Sequence, residues 1–134
     1  LRVTQDALDE AVAATAAGNA VGDIGAAVEK RVRGTGFGII RDLVGHGIGR
    51  SVHEDPQVPN YGRPGTGEPL VPGTVLAIEP MLSAGTWEIK TLADRWTVIT
   101  ADRSRSAHFE HTVAVTDDGP RVLTLAPTGA GTAV

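Results

Sequence analysis

The feature that most restricts this chain is a change of hydrophobic period near Gly36. Upstream, apolar residues recur at helical spacing; downstream, glycine-rich and β-branched segments follow the period of strands. Residues 4–17 (TQDALDEAVAATAA) read as a helix, with Thr4 or Asp6 as N-cap, a stripe of Leu8, Ala11, Val12 and Ala16, and a stop at Gly18. A second helix is expected over about 23–33, capped by Asp23, with Ile24, Ala27, Val28 and Val32 on one face. Gly34 and Gly36 stop it.

Beyond that point the expected elements are strands and turns. Residues 54–73 hold five of the eight prolines and four glycines and read as a loop rather than a regular element. TVLAIEPML (74–82) reads as a mostly buried strand, and TWEIK (86–90) with WTVIT (96–100) as a hairpin. HFEHTVAVT (108–116) reads as a strand, the DDG at 117–119 as a turn and RVLTL (121–125) as the returning strand. Two helices followed by antiparallel strands predict an α+β layer, a sheet with both helices on one face. With 134 residues there is room for one domain, 1–125, burying roughly 68% of its unfolded surface; 126–134 read as a flexible tail. The chain opens on Leu1 rather than Met and is expected to be a segment of a longer polypeptide.

The chemistry available is narrow. The chain has no cysteine, which excludes disulfides, thiolate metal sites and a cysteine nucleophile, and fits a cytoplasmic setting. Any metal site must use Asp, Glu or the four histidines. The net charge is −4 with scattered basic residues, so no basic stripe points to nucleic acid; no apolar run or cationic helix points to a membrane.

Glu79 is the first candidate. It sits in the most apolar stretch of the chain, where an unpaired carboxylate costs on the order of several kcal/mol or protonates. An exposed edge position or an arginine partner is the bland solution, and a metal ion is the other. In HFEHT, strand alternation puts His108, Glu110, Thr112 and Ala114 on one face and Phe109, His111, Val113 and Val115 on the more apolar other. Glu110 and His111 therefore do not share one ion, and His111 reads as a packed residue. His108 is placed either beside Glu110 or in solvent. In GHGIGRSVHE, flanking glycines let the backbone at His46 approach a ligand closely. A continuous strand would set His46 and His53 on opposite faces; they converge only if the chain bends at Gly47 and Gly49, and otherwise are two unrelated loop histidines. One His and two carboxylates on separate strands would suit Mn, Fe, Co or Zn and leave positions open for water.

GHGIGRSVHEDPQVPNYG, VLAIEPM and WTVITADRSRSAHFEHTVAVTDDG, in that order, resemble the type I methionine aminopeptidases, and the stretch from GNAVGDIG resembles what precedes those motifs. The likeness spans about 1–125. The AIEPM and HFEHT motifs match the aminopeptidases rather than prolidase-like relatives. The fold implied is the C-terminal half of the pita-bread fold. The function implied is removal of the N-terminal methionine from nascent proteins by a centre of two divalent metal ions. His46, Glu79 and Glu110 resemble metal ligands, with Glu79 also relaying the proton. His53 resembles the histidine beside the scissile carbonyl, and Trp96 a wall of the methionine pocket. Val52 lies where the family usually has a bulkier pocket residue. Ser106 resembles a backbone ligand of a monovalent cation. The family's N-terminal half supplies two aspartate ligands and most of the pocket, so that half is the implied partner. The alternatives are a truncated, catalytically inactive metal- or peptide-binding module, and two copies assembling to imitate the missing half.

Overall fold

Ten short strands and two helices account for the regular structure in the computed structural model, which describes residues 1–126. The expected tail therefore lies, but for its first residue, outside the described residues. The first helix, α1, runs Arg2–Ala14 and the second, α2, Val21–Val32. Both begin earlier than their capping residues suggested. Thr4 is buried inside α1, whose N-cap is Leu1, because its side chain faces α2 and the sheet rather than the helix end. In α2 the N-cap is Ala20, and Asp23 stands three residues in, where its carboxylate accepts the Ala20 N–H at 2.8 Å. An acidic residue in the first turn favours the positive end of the helix dipole just as a cap does. After α1, the Asn19 amide donates to the Ala14 carbonyl at 2.9 Å, satisfying one of the helix's last free carbonyls. Asp6 and Arg31 form an ion pair that ties the two helices; as both are partly exposed, it is worth about 1 kcal/mol or less.

The strands are β1 (Gly38–Ile39), β2 (Gly45–Gly47), β3 (Glu54–Val58), β4 (Val75–Ile78), β5 (Met81–Ser83), β6 (Ile89–Thr91), β7 (Val98–Thr100), β8 (Ser106–His108), β9 (His111–Thr116) and β10 (Gly119–Val122). They form a five-stranded sheet in the order β10-β9-β4-β2-β3, a three-stranded sheet β1-β5-β8, and the expected hairpin β6-β7; every pairing is antiparallel. Residues 54–58, expected as loop, are a strand. Pro56 is tolerated there because β3 is an edge strand, where a missing N–H breaks no interior ladder. The final strand starts at Gly119 rather than Arg121, since the turn closes at Asp117 and Asp118.

The two remaining differences shape the site. The expected strands 74–82 and 108–116 are each broken, the first at Glu79–Pro80 and the second at Phe109–Glu110. Pro80 has no N–H to give the ladder, so only the Phe109 N–H to Pro80 carbonyl bond, 3.4 Å, crosses between the two breaks. There the chain passes from the five-stranded sheet to the three-stranded one.

Both helices lie on one face of the larger sheet, as expected. Ala7, Leu8 and Ala11 of α1 and Ile24, Val28 and Val32 of α2 meet Leu76 and Ile78 of β4 and Val113 and Val115 of β9 in one core. Leu76 pairs with Val113, so all four strand residues point to the helices. The opposite face of the sheet is left for His46, Ala77 and Thr112.

Candidate metal centre

Register, more than alternation, assembles the site. Ile78 pairs with His111 on one side of the breaks and Met81 with His108 on the other, a single unshifted register. That register sets Glu79 directly across from Glu110. Because Pro80 and Phe109 are the hydrogen-bonded pair, Glu79 and Glu110 are the neighbouring non-hydrogen-bonded pair, whose side chains approach most closely. His108 is then the diagonal neighbour of Glu79 on one side. His46, paired with Ala77, is its diagonal neighbour on the other.

The distances follow. Glu79 Oε2 is 3.3 Å from His108 Nε2, and Glu79 Oε1 is 3.7 Å from His46 Nε2. The Glu79 side chain is 14% exposed and that of His46 15%, against 46% for His108. One donor atom from each of Glu79, His108 and Glu110 lies within 4.8 Å of the others. Among the described residues, no lysine or arginine pairs with Glu79; its neighbours are two imidazoles and a second carboxylate. Like charges placed directly opposite destabilise a sheet. A divalent cation would remove that repulsion, and the nitrogen and oxygen donors present are the set such an ion takes.

The surroundings orient the donors. A Cβ at Gly45 would run into the Ala77 carbonyl oxygen and one at Gly47 into that of Asp55, so only glycine lets β2 lie this close to its neighbours. The His46 Nδ1 lies 2.9 Å from the Gly47 carbonyl, to which its N–H donates, and the ring thereby presents Nε2 toward Glu79. Asn60, buried in the loop after β3, donates from its side-chain amide to the Glu79 carbonyl at 3.1 Å. The Glu79 hydrogen bond pushes the His108 pKa above its ordinary 6.5, against the opposing effect of burial.

Each expected residue has a definite place. Glu79 and Glu110 come together, and His46 reaches Glu79. The pairing of β2 with β3 shifts register between His46 and Gly47, and this bulge folds His53 back so that the two imidazole centroids are 4.2 Å apart. His111 faces the helix side, with Nδ1 2.9 Å from Thr124 Oγ1, away from the carboxylates. Val52 and Trp96 are 70% and 87% exposed, the latter in the turn of the β6-β7 hairpin, and neither belongs to the cluster. Ser106 opens β8, an edge strand of the smaller sheet. Two residues of the site escaped the sequence. His108 shared a face with Glu110 but carried no sign that it would reach Glu79. Asn60 lay within the GHGIGRSVHEDPQVPNYG motif but carried no sign of the bond it makes to Glu79.

Known proteins resemble this chain over most of its length. The family model for metallopeptidase family M24 matches residues 1–117. The chain is 50% identical over 125 residues to a methionine aminopeptidase of Clostridium acetobutylicum, covering 93% of this chain and 50% of that protein. It is 53% identical over 128 residues to methionine aminopeptidase 1 of Mycobacterium tuberculosis, covering 91% and 48%. Among solved structures, the methionine aminopeptidase of Thermotoga maritima superposes with a TM-score of 0.90 at 49% identity, over 93% of this chain and 50% of that one. A prolidase of Pyrococcus furiosus, 22% identical with a TM-score of 0.66, shares the fold alone. The chain spans about half the length of the curated relatives it matches. Its α+β architecture is half of the pita-bread fold, and the chain belongs to metallopeptidase family M24.

Proposed function

We infer that this chain is the C-terminal half of a methionine aminopeptidase domain, which removes the first methionine of nascent proteins in the cytoplasm. The observation that carries the reading is the placement of Glu79 directly across from Glu110, with an imidazole on its flank at each carboxylate oxygen. Such an arrangement is unfavourable without a cation and well matched to one. The likeness to methionine aminopeptidases supports the choice of reaction and substrate.

His46, Glu79 and Glu110 would hold the metal, with the N-terminal half of the domain supplying the remaining ligands of a second ion. Mn, Fe, Co and Zn all suit these donors. A divalent ion bound here supplies Lewis acidity and lowers the pKa of water. The residues of this chain do the rest. Glu79 takes a proton from the attacking water and delivers it to the leaving amine. His53, packed at a tilt against His46, donates toward the scissile carbonyl oxygen as negative charge develops there. Val52 and Trp96 expose apolar surface that would line the methionine pocket once the other half covers it. A cavity of about 160 Å³ beside His108, lined by Leu43, Met81, Ile89 and Val98, suits small apolar side chains of a peptide. Ser106, on an unpaired strand edge, would offer a backbone carbonyl to a monovalent cation.

The test is hydrolysis of a Met-Ala-Ser peptide by the polypeptide that carries this chain. Release of free methionine, abolished by chelation and restored by Co(II) or Mn(II), is the expected result. Metal binding with no release of methionine would overturn it in favour of an inactive metal-binding module.

A further inference from the structure

The three donors brought closest together are not the three expected from the sequence. They are Glu79, Glu110 and His108, a residue given no role in the function above. We propose that His108 is itself a metal ligand, its Nε2 binding the same ion as Glu79, so that this half contributes two imidazoles and two carboxylates to the centre. The inference rests on the metal-binding reading of Glu79 and Glu110 and goes beyond it in naming a fourth donor.

The separations are those that donors sharing one ion would have. Nitrogen and oxygen donors bound about 2.1 Å from one ion at a tetrahedral angle lie about 3.4 Å apart. His108 Nε2 and Glu79 Oε2 are 3.3 Å apart, and His46 Nε2 and Glu79 Oε1 3.7 Å. The two imidazoles thus approach opposite oxygens of one carboxylate at comparable range. His108 projects from β8, an edge strand of the smaller sheet, with nearly half its side chain exposed, and Glu79 is its one ion-pairing partner among the described residues. The register explains why it points there: His108 stands diagonal to Glu79 across the break and on the same side as Glu110. A side chain free to turn to solvent, yet set between two carboxylates, has a position that an ion accounts for.

A second imidazole has a chemical consequence. Nitrogen donors raise affinity for Zn(II), Co(II) and Fe(II) more than for Mn(II), which prefers oxygen. His108 would therefore bias the centre toward the more nitrogen-seeking metals.

The experiment is a titration of the metal-stripped polypeptide that carries this chain with Co(II) and with Mn(II), comparing the native protein with His108→Ala, His108→Gln and Glu79→Gln. Co(II) binding is read by visible absorption, and bound imidazoles by their paramagnetically shifted N–H proton resonances. Both His108 variants should lose one such resonance and bind Co(II) about tenfold or more weakly, with a smaller loss for Mn(II). His108→Gln keeps a polar group beside Glu79, so its failing like His108→Ala excludes a mere hydrogen-bonding role. Unchanged resonances and Co(II) affinity in both His108 variants, with loss in Glu79→Gln, would overturn the inference and leave the metal centre standing. No loss in any variant, Glu79→Gln included, would overturn both.

Discussion

The side-chain amide of Asn60 donates to the backbone carbonyl of Glu79 at 3.1 Å, fastening the loop after β3 to the break where β4 ends. Asn60 is 3% exposed, so the bond is made away from water. Asn60→Leu should cost about 1–3 kcal/mol in urea denaturation, the penalty for stranding a buried carbonyl. It should also weaken Co(II) binding roughly tenfold, since it frees the peptide that aims Glu79. Unchanged affinity would show that Pro80 alone sets that peptide.

The opposition of Glu79 and Glu110 predicts two effects of opposite sign from one substitution. Glu110→Gln removes a like-charge pair, so in chelator the variant should be as stable as the native protein or up to about 1 kcal/mol more stable. With Co(II) present at 100 times its dissociation constant, the native protein should gain about 2.7 kcal/mol and the variant much less. Thermal melts with and without metal read both. A variant that is less stable in chelator would mean the two carboxylates do not repel.

Gly45→Ala tests the close approach that positions His46. Its Cβ would collide with the Ala77 carbonyl oxygen, which belongs to the sheet backbone and moves only if β2 moves. A loss of about 1–3 kcal/mol is expected by denaturant melt, together with weakened metal binding as His46 leaves Glu79.

Asp102 gives a prediction in acid. Its carboxylate accepts the Thr86 N–H at 2.9 Å and the Ser104 N–H at 3.0 Å, and these bonds hold its pKa at about 2, below the ordinary 3.8. A carboxyl whose folded pKa is depressed adds stability above its unfolded pKa and loses it as pH falls through the folded one. Stability should therefore decline between about pH 3.8 and 2 in the native protein, while Asp102→Asn should show a shallower decline over that window. Denaturation midpoints across it make the comparison, and identical slopes would sink the claim.

Local pattern carried much of the fold. The switch from helical to strand period marked the α+β class, because burial of one face imposes a fixed repeat on each element. Glu79 stood out because a carboxylate among buried aliphatics needs a partner. Glu110 was separable from His111 because side chains alternate along a strand, and His111 does turn to the helices. The start of α2 was misjudged because an acidic residue three positions inside a helix serves nearly as well as one at its end, and that of α1 because Thr4 is buried in the helix rather than capping it.

What the sequence determined by itself was therefore which face each residue takes and which carboxylates are out of place. What only the tertiary structure decided was who meets whom: Glu79 across from Glu110, His108 on the diagonal, His53 folded onto His46 and Asn60 under the break. The reason is physical. Face follows from the period of a single segment, whereas register depends on how distant strands slide until Leu76, Ile78, Val113 and Val115 all meet the helices. Packing of the core on one side of the sheet is what aligned the donors on the other.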